Sequence, residues 1–185
     1  MTDGAESYRR YLDGDDSAVE DIIRLHRDGL IFYLYSFVSD FFAAEELAED
    51  TFFKLVAKKP HYRARSSFKT WLYAIGRNVA IDYLRHEARR RTIPLDDCQD
   101  QSDIGAAVEG QYIKTERDAA LHCAMKQLSR EYRQVLYLIY FEELSSAEIA
   151  VIMKKSSRSI DTLAWRARNA LKAELMKEGF VYEGL

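Results

Sequence analysis

The sequence predicts an all-α protein of two small helical domains, residues 1–91 and 113–185, joined by a flexible acidic linker over 92–112. Three observations carry this. Apolar residues fall at helical spacing, as in Phe68, Leu72, Ile75 and Val79 and again in Ile160, Leu163, Ala167 and Leu171. Thr92–Gln111 has no such stripe and holds Pro94, two glycines, Asp96, Asp97, Asp100 and Asp103. Beyond it a short helix, a short turn and a longer helix follow one another, the pattern of a helix-turn-helix.

A chain of 185 residues, 48% apolar and 31% charged, suits packed soluble domains. Met1–Asp21 is acidic and lacks the apolar segment of a signal peptide. The longest apolar run, Leu30–Val38, is interrupted by Ser36 and falls far short of the ~20 residues a membrane helix needs, so no membrane insertion is expected. Cys98 and Cys123 form neither a disulfide framework nor a metal-type spacing, which suits reduced thiols in a cytoplasm. The net charge of −3 hides a strong segregation. Residues 1–53 carry −9, residues 54–91 carry +9, and residues 92–120 carry −5. A mildly acidic protein of this kind still attracts nucleic acid, because the local field decides.

In chain order, residues 5–28 predict a short helix, a break at Asp13-Gly14-Asp15-Asp16 and a second helix with Val19, Ile22, Ile23 and Leu25 on one side. Gly29 is a candidate boundary. Leu30–Val38 predicts a buried helix, with a strand as the alternative because Tyr, Phe and Val favour strands. Ala43–Lys58 predicts an amphipathic helix in which Leu47, Phe52 (or Thr51), Leu55 and Lys58 follow helical spacing. Its Glu45, Glu46, Glu49 and Asp50 precede Lys54, Lys58 and Lys59, the sign order a helix dipole favours. Pro60 stops it. Phe68–Arg85 predicts the next helix. Trp71 and Asn78, seven apart, share a face beside the core stripe, and a mid-helix Asn is a poor helix former.

In the second domain, helices are predicted over about Glu116–Leu128 and Arg130–Phe141. Ser145 and Glu148 have the spacing of a capping box, which starts a helix of about two turns. Lys154-Lys155-Ser156 is the turn, and Ser157–Leu175 the following helix. That helix exposes Arg158, Ser159, Thr162, Arg166 and Arg168. In a helix-turn-helix the start of the second helix meets base edges while flanking Arg and Lys hold phosphates.

The basic segment also carries Tyr62, Phe68, Trp71 and Tyr73. Its charges can replace phosphate counterions, and flat rings can stack on exposed bases. A solvated basic face is the plain alternative. His26, His61, His86 and His122 are scattered, and neither a phosphate-binding glycine loop nor a His-Glu-x-x-His pattern occurs. His122 and Cys123 are adjacent, which points them apart on a helix and argues against a zinc pair. No catalytic residue, cofactor or metal is therefore expected. An autonomous helix-turn-helix regulator would explain residues 128–172 but leaves the basic aromatic block and the acidic helix without a joint purpose.

Three blocks together resemble a known family. They are AEELAEDTFFKL from Ala44 to Leu55, SFKTWLYAIGRNVAIDYLR from Ser67 to Arg85, and LSREYRQVL from Leu128 with LSSAEIAVI from Leu144 and WRARNAL from Trp165. In this order, with a linker between, they resemble the extracytoplasmic-function (ECF) RNA polymerase sigma factors of the sigma-70 family. The resemblance spans residues 5–175 and implies a sigma-2-like and a sigma-4-like domain. It implies that Glu49, Asp50, Phe52 and Phe53 dock on the clamp helices of core RNA polymerase, although the family often has Gln where Glu49 stands. It implies that the loop with Tyr62, Arg63, Arg65, Ser66 and Ser67 holds a base flipped from the −10 element of promoter DNA. Lys69, Trp71, Arg77 and Asn78 would face that strand, and Arg85, Arg89, Arg90 and Arg91 its backbone. Flipping costs a few kcal/mol, recovered by a shaped pocket and phosphate contacts. The −35 element would meet Lys154, Lys155, Ser157, Arg158, Ser159, Thr162, Arg166 and Arg168. Asp161 and Leu163 depart from the family, where these positions are commonly basic. The linker would thread toward the polymerase active-site cleft, the second domain would touch the flap, and an anti-sigma factor would be the controlling partner.

Overall fold

The computed structural model describes residues 4–90 and 116–177, the side chains of 116–120 excepted. The predicted linker 92–112, with Cys98, and Arg91 lie outside the described residues. Among these residues there are eight helices: α1 Gly4–Leu12, α2 Ala18–Val38, α3 Phe41–Lys58, α4 Phe68–Arg90, α5 Glu116–Gln127, α6 Arg130–Tyr140, α7 Ser146–Met153 and α8 Ser157–Lys177.

The break after α1 falls where the run of aspartates and Gly14 predicts it. Gly14 takes φ 105°, which a glycine adopts without steric cost. Tyr8 and Tyr11 then pin α1 to the end of α3. Their hydroxyls donate to the Pro60 carbonyl at 2.7 Å and the Val56 carbonyl at 3.1 Å. Burial, with the neighbouring Tyr11 adding to it, pushes the Tyr8 hydroxyl up to about 12.

α2 runs unbroken through Gly29, so the candidate boundary there is not one, and Leu30–Val38 is helix rather than strand. Helical spacing buries His26, Leu30, Tyr33, Leu34 and Phe37 together. α3 starts at Phe41, earlier than the apolar pattern suggests, because the Asp40 carboxylate accepts the Ala43 amide at 2.9 Å. Its acidic residues therefore sit beyond the first turn, where a helix dipole reaches weakly. α4 continues past Arg85 to Arg90 and buries Phe68, Leu72, Gly76 and Val79. Ile75, expected in this stripe, is half-buried. Gly76 takes the crossing instead, where an added Cβ would stand 2.9 Å from Leu30 Cδ1.

In the second domain Ser129 caps α6 and Ser145 caps α7, each accepting the backbone amide three residues on. Both halves of the Ser145–Glu148 capping box are present. Lys154 ends α7 at φ 55°, and Ser156 Oγ accepts the Ser159 amide at 3.2 Å to open α8. Val135, Leu138, Ile149, Ile152, Ile160 and Ala164 fill the core between α6, α7 and α8. The helix-turn-helix is thus Ser146–Lys177.

The two bundles meet, α4 against α7 and α2 against α6, and their buried residues form one continuous cluster.

Candidate nucleic-acid and polymerase interfaces

On α3 the spacing separates core from surface cleanly. Phe52 is 6% exposed and packs inward with Leu47, Ala48, Thr51 and Leu55. This corrects its assignment to a docking face, since its ring belongs to the core. Phe53, one residue on, is 70% exposed. Glu49, Asp50 and Phe53 share an open face with Phe42 and Glu46, which sequence reasoning missed. Phe42, Glu46, Glu49 and Phe53 recur at four, seven and eleven residues, so the signal was present as a second stripe. Two exposed phenylalanines flanked by carboxylates suit a partner groove with apolar sockets and basic edges.

The predicted −10 residues differ in exposure and in partners. Arg63, Arg65, Ser67, Asn78, Arg85, Arg89 and Arg90 are exposed. Asn78, Arg85 and Arg89 fall at helical spacing along one side of α4. Arg85 pairs weakly with Asp82 and Arg90 with Glu87, at 3.6 and 3.7 Å. Tyr62 and Trp71 are half-buried in an aromatic cluster. The Trp71 ring lies 5.1 Å from Tyr62, 5.3 Å from Tyr8 and 5.4 Å from Phe68, so much of it is packing. The loop is held by its own residues. Tyr62 donates its hydroxyl to the Ser66 carbonyl at 2.6 Å, and Ala64 takes φ 52°, a left-handed conformation a side chain rarely adopts. Arg77 is half-buried, and its Nε is buried with no hydrogen-bond partner among the described residues.

Ser67, Lys69 and Asn78 are engaged by the second domain. Lys69 Nζ pairs with Glu142 Oε2 at 2.8 Å. Ser67 Oγ donates to Glu148 Oε1 at 3.2 Å, and Lys154 Nζ donates to Asn78 Oδ1 at 3.0 Å. Nothing in the sequence pattern signalled these contacts.

Of the predicted −35 residues, Ser157, Arg158, Ser159, Thr162, Arg166 and Arg168 are all exposed on α8, with Lys154 and Lys155 exposed in the turn. Thr162 donates to the Arg158 carbonyl at 3.0 Å. Arg168 Nε donates to the Tyr140 hydroxyl at 2.9 Å, and Lys155 pairs with Glu131 at 3.1 Å. Arg158 and Arg166 make no ion pair with described residues and remain available to phosphates. Asp161, the departure from the basic pattern, accepts the Ser146 hydroxyl at 2.6 Å and so ties α8 to the start of α7. Trp165, on the same helix, is 64% exposed and was not anticipated.

Among the described residues no group of three or more His, Cys, Asp or Glu is placed to hold a metal ion. No described helix is long and apolar enough to cross a membrane.

Comparison with known proteins identifies the family of the chain. Residues 22–90 match Sigma-70 region 2, and residues 118–171 match Sigma-70, region 4. The chain is 30% identical to the ECF RNA polymerase sigma factor SigM of Bacillus subtilis, over 84% of this chain and 93% of that protein. It is 29% identical to the RNA polymerase sigma factor YlaC of the same organism, over 86% and 93%. Among solved structures it is similar to the sigma factor RpoE of Bartonella quintana in complex with the anti-sigma factor NepR. That similarity has a TM-score of 0.66 and 25% identity, covering 85% of this chain and 96% of that one. The fold is shared with CnrH, solved with the cytosolic domain of CnrY, at a TM-score of 0.65 over 94% and 95%. Regions 2 and 4 follow one another in the expected order, in an all-helical chain of non-enzymatic transcription factor type. The chain belongs to the ECF sigma factors of the sigma-70 family.

Proposed function

We propose that this protein binds core RNA polymerase through the open face of α3 and carries it to promoters with two elements. The −10 element meets the Tyr62–Ser67 loop and the Asn78, Arg85 and Arg89 side of α4. The −35 element meets Arg158, Ser159, Thr162 and Arg166 at the start of α8. The observation that carries this reading is the Phe42–Glu46–Glu49–Phe53 stripe. A soluble domain has no reason of its own to expose two phenylalanines between carboxylates, and here they lie one helix before the basic strand-facing helix.

The division of labour follows from chemistry. Apolar sockets and carboxylates suit a protein partner, whereas guanidinium groups beside Asn, Ser and Thr suit phosphates and base edges. An autonomous regulator would have no use for the α3 stripe. A second partner, an anti-sigma factor, is proposed from the RpoE relative solved with NepR. The site of action is the cytoplasm, where bacterial polymerase works.

Run-off transcription from a bacterial genomic fragment library tests the reading, with purified core polymerase in the presence and absence of this protein. New transcripts sharing two upstream elements are expected. No stimulation together with no core binding would overturn it.

A further inference from the structure

α1 lies before residues 22–90, the stretch that matches Sigma-70 region 2, yet it packs into the same domain. It comes so close to α4 that Gly4 leaves no room for a side chain. An added Cβ would stand 2.5 Å from Phe68 Cδ1 and 2.7 Å from His26 Nε2. One turn on, the Tyr8 ring is 1% exposed and lies 5.6 Å from Phe68 and 5.3 Å from Trp71, both on α4. A ring buried this deeply needs a partner for its hydroxyl, and the Pro60 carbonyl supplies it.

Pro60 is where the chain leaves α3 for the base-holding loop. Residues 59–67 belong to no helix, so side chains must fix their path. The last carbonyls of α3 have no partner within the helix. Tyr11 donates to that of Val56, and Tyr8 to that of Pro60 just past the helix end. Between them Lys59 takes φ 40°, with its ammonium 4.6 Å from the centre of the Tyr11 ring. Two residues after Pro60, the Tyr62 ring closes on Trp71 at 5.1 Å and on Phe68 at 5.5 Å. Tyr8 therefore reaches the loop by two routes. One is the Pro60 backbone; the other is Trp71, the ring on which Tyr62 rests.

The rest of the loop is held from within. Tyr62 donates to the Ser66 carbonyl, Ala64 takes φ 52°, and Ser67 Oγ accepts the Thr70 amide at 3.2 Å. These contacts fix the shape of the loop and its far end, at the start of α4. Its near end is held by Tyr8. A pocket for one unstacked base selects sharply only when its walls are held to within about 0.5 Å. We propose that Tyr8 is a positioning residue for the base-holding loop. By holding the Pro60 carbonyl and backing the Trp71 ring, it sets where Tyr62–Ser67 stands and how sharply one base of the −10 element is selected. Tyr8 is buried and touches no DNA itself. This proposal rests on the assignment of that loop to the −10 element.

The test uses the full chain in three forms: wild type, Tyr8→Phe and Tyr11→Phe. Tyr8→Phe keeps the ring against Trp71 and Phe68 and removes only the donor to Pro60. Tyr11→Phe removes a hydroxyl from the same helix, bound to a carbonyl inside α3, and is the control for lost stability. Each protein drives run-off transcription with core polymerase from the bacterial genomic fragment library. Transcripts are sequenced and aligned on their upstream elements. Preference at each position is the ratio of the commonest base to the next. Unfolded protein yields no transcript, so it does not enter that ratio.

With Tyr8→Phe, preference at one −10 position should fall several-fold, while the other −10 positions and the −35 element keep theirs. Tyr11→Phe should keep the wild-type preference at every position, even where its total transcript falls. Unchanged preference with Tyr8→Phe, or a fall in total transcript alone, would overturn the positioning role. Equal relaxation with Tyr11→Phe would overturn it too, by assigning the effect to the docking of α1 as a whole. Wild-type transcripts without shared upstream elements would instead count against the sigma reading. The wild-type sample therefore tells the two failures apart.

Discussion

Lys154 Nζ donates to the Asn78 amide oxygen at 3.0 Å, joining the turn of the helix-turn-helix to the middle of α4. One residue assigned to the −35 element thus satisfies one assigned to the −10 element. The pair lies at the surface, so its loss should cost little stability.

Asn78→Ala is therefore expected to fold normally, with stability changed by no more than about 0.5 kcal/mol. Core polymerase binding should be retained while open-complex formation falls, read by permanganate reactivity of unpaired thymines. Normal opening would remove Asn78 from the reading face. Trp71 is a poorer probe of the same face. Its indole packs on Tyr8, Tyr62 and Phe68, so Trp71→Ala should lose about 3 kcal/mol of packing before any DNA is met.

Adjacent phenylalanines on α3 offer a contrast. Phe52→Ala removes a buried ring and should destabilise the fold by about 3–5 kcal/mol. Phe53→Ala should leave the melting temperature nearly unchanged, yet weaken binding to core polymerase by at least about 1 kcal/mol. Asp50→Lys, which inverts charge on the same face, should also fold and fail to bind. Thermal denaturation and a polymerase titration check all three. Undiminished affinity in both Phe53→Ala and Asp50→Lys would mean that polymerase docks elsewhere.

The backbone amide of Ser145 holds the Glu148 carboxyl below its usual value of 4.5. Slight burial opposes the shift, and the hydroxyls of Ser145, Ser67 and Thr70 add to it. A carboxylate depressed on folding stabilises the protein above its unfolded-state value and loses that contribution as pH falls through the folded one. Wild type should therefore exceed Glu148→Gln in melting temperature at neutral pH. The gap should narrow as pH drops through 4.5 and close in stronger acid. A gap independent of pH would assign the difference to shape rather than charge.

Gly76 sits where α4 crosses α2, with Leu30 Cδ1 only 2.9 Å from the position of a Cβ. Alanine favours a helix over glycine, yet the clash should dominate, and Gly76→Ala should cost about 1–3 kcal/mol in urea denaturation. An unchanged or higher midpoint would show that Leu30 moves aside freely.

Much of this architecture was legible because it is local. The Ser145–Glu148 spacing alone announced the start of α7, and Pro60 the end of α3. The misjudged details turned on contacts from outside the window. Gly29 read as a boundary because helix interiors disfavour glycine, but the carboxylate of Glu142, more than a hundred residues on, requires that bare position. Ile75 read as core from its spacing, whereas the crossing at Gly76 rotates the buried stripe of α4 away from it. Phe52 and Phe53 could both be docking residues in sequence, and only the packed helix tells them apart. The contacts between the domains, Ser67 with Glu148 and Lys69 with Glu142, pair polar residues without any periodicity to mark them.

Glu148 uses its two carboxylate oxygens separately. Oε2 takes the Ser145 amide at 3.0 Å and hydroxyl at 2.8 Å, while Oε1 faces Ser67 and Thr70. Its rotamers are therefore frozen by its own helix before α4 arrives. A glutamate normally gives up about 1–2 kcal/mol of rotational freedom when it is fixed. Here that loss is already incurred inside α7, so joining the two domains adds almost none, and parting them returns almost none. The junction is therefore pre-organised on one side, by the same cap that starts α7.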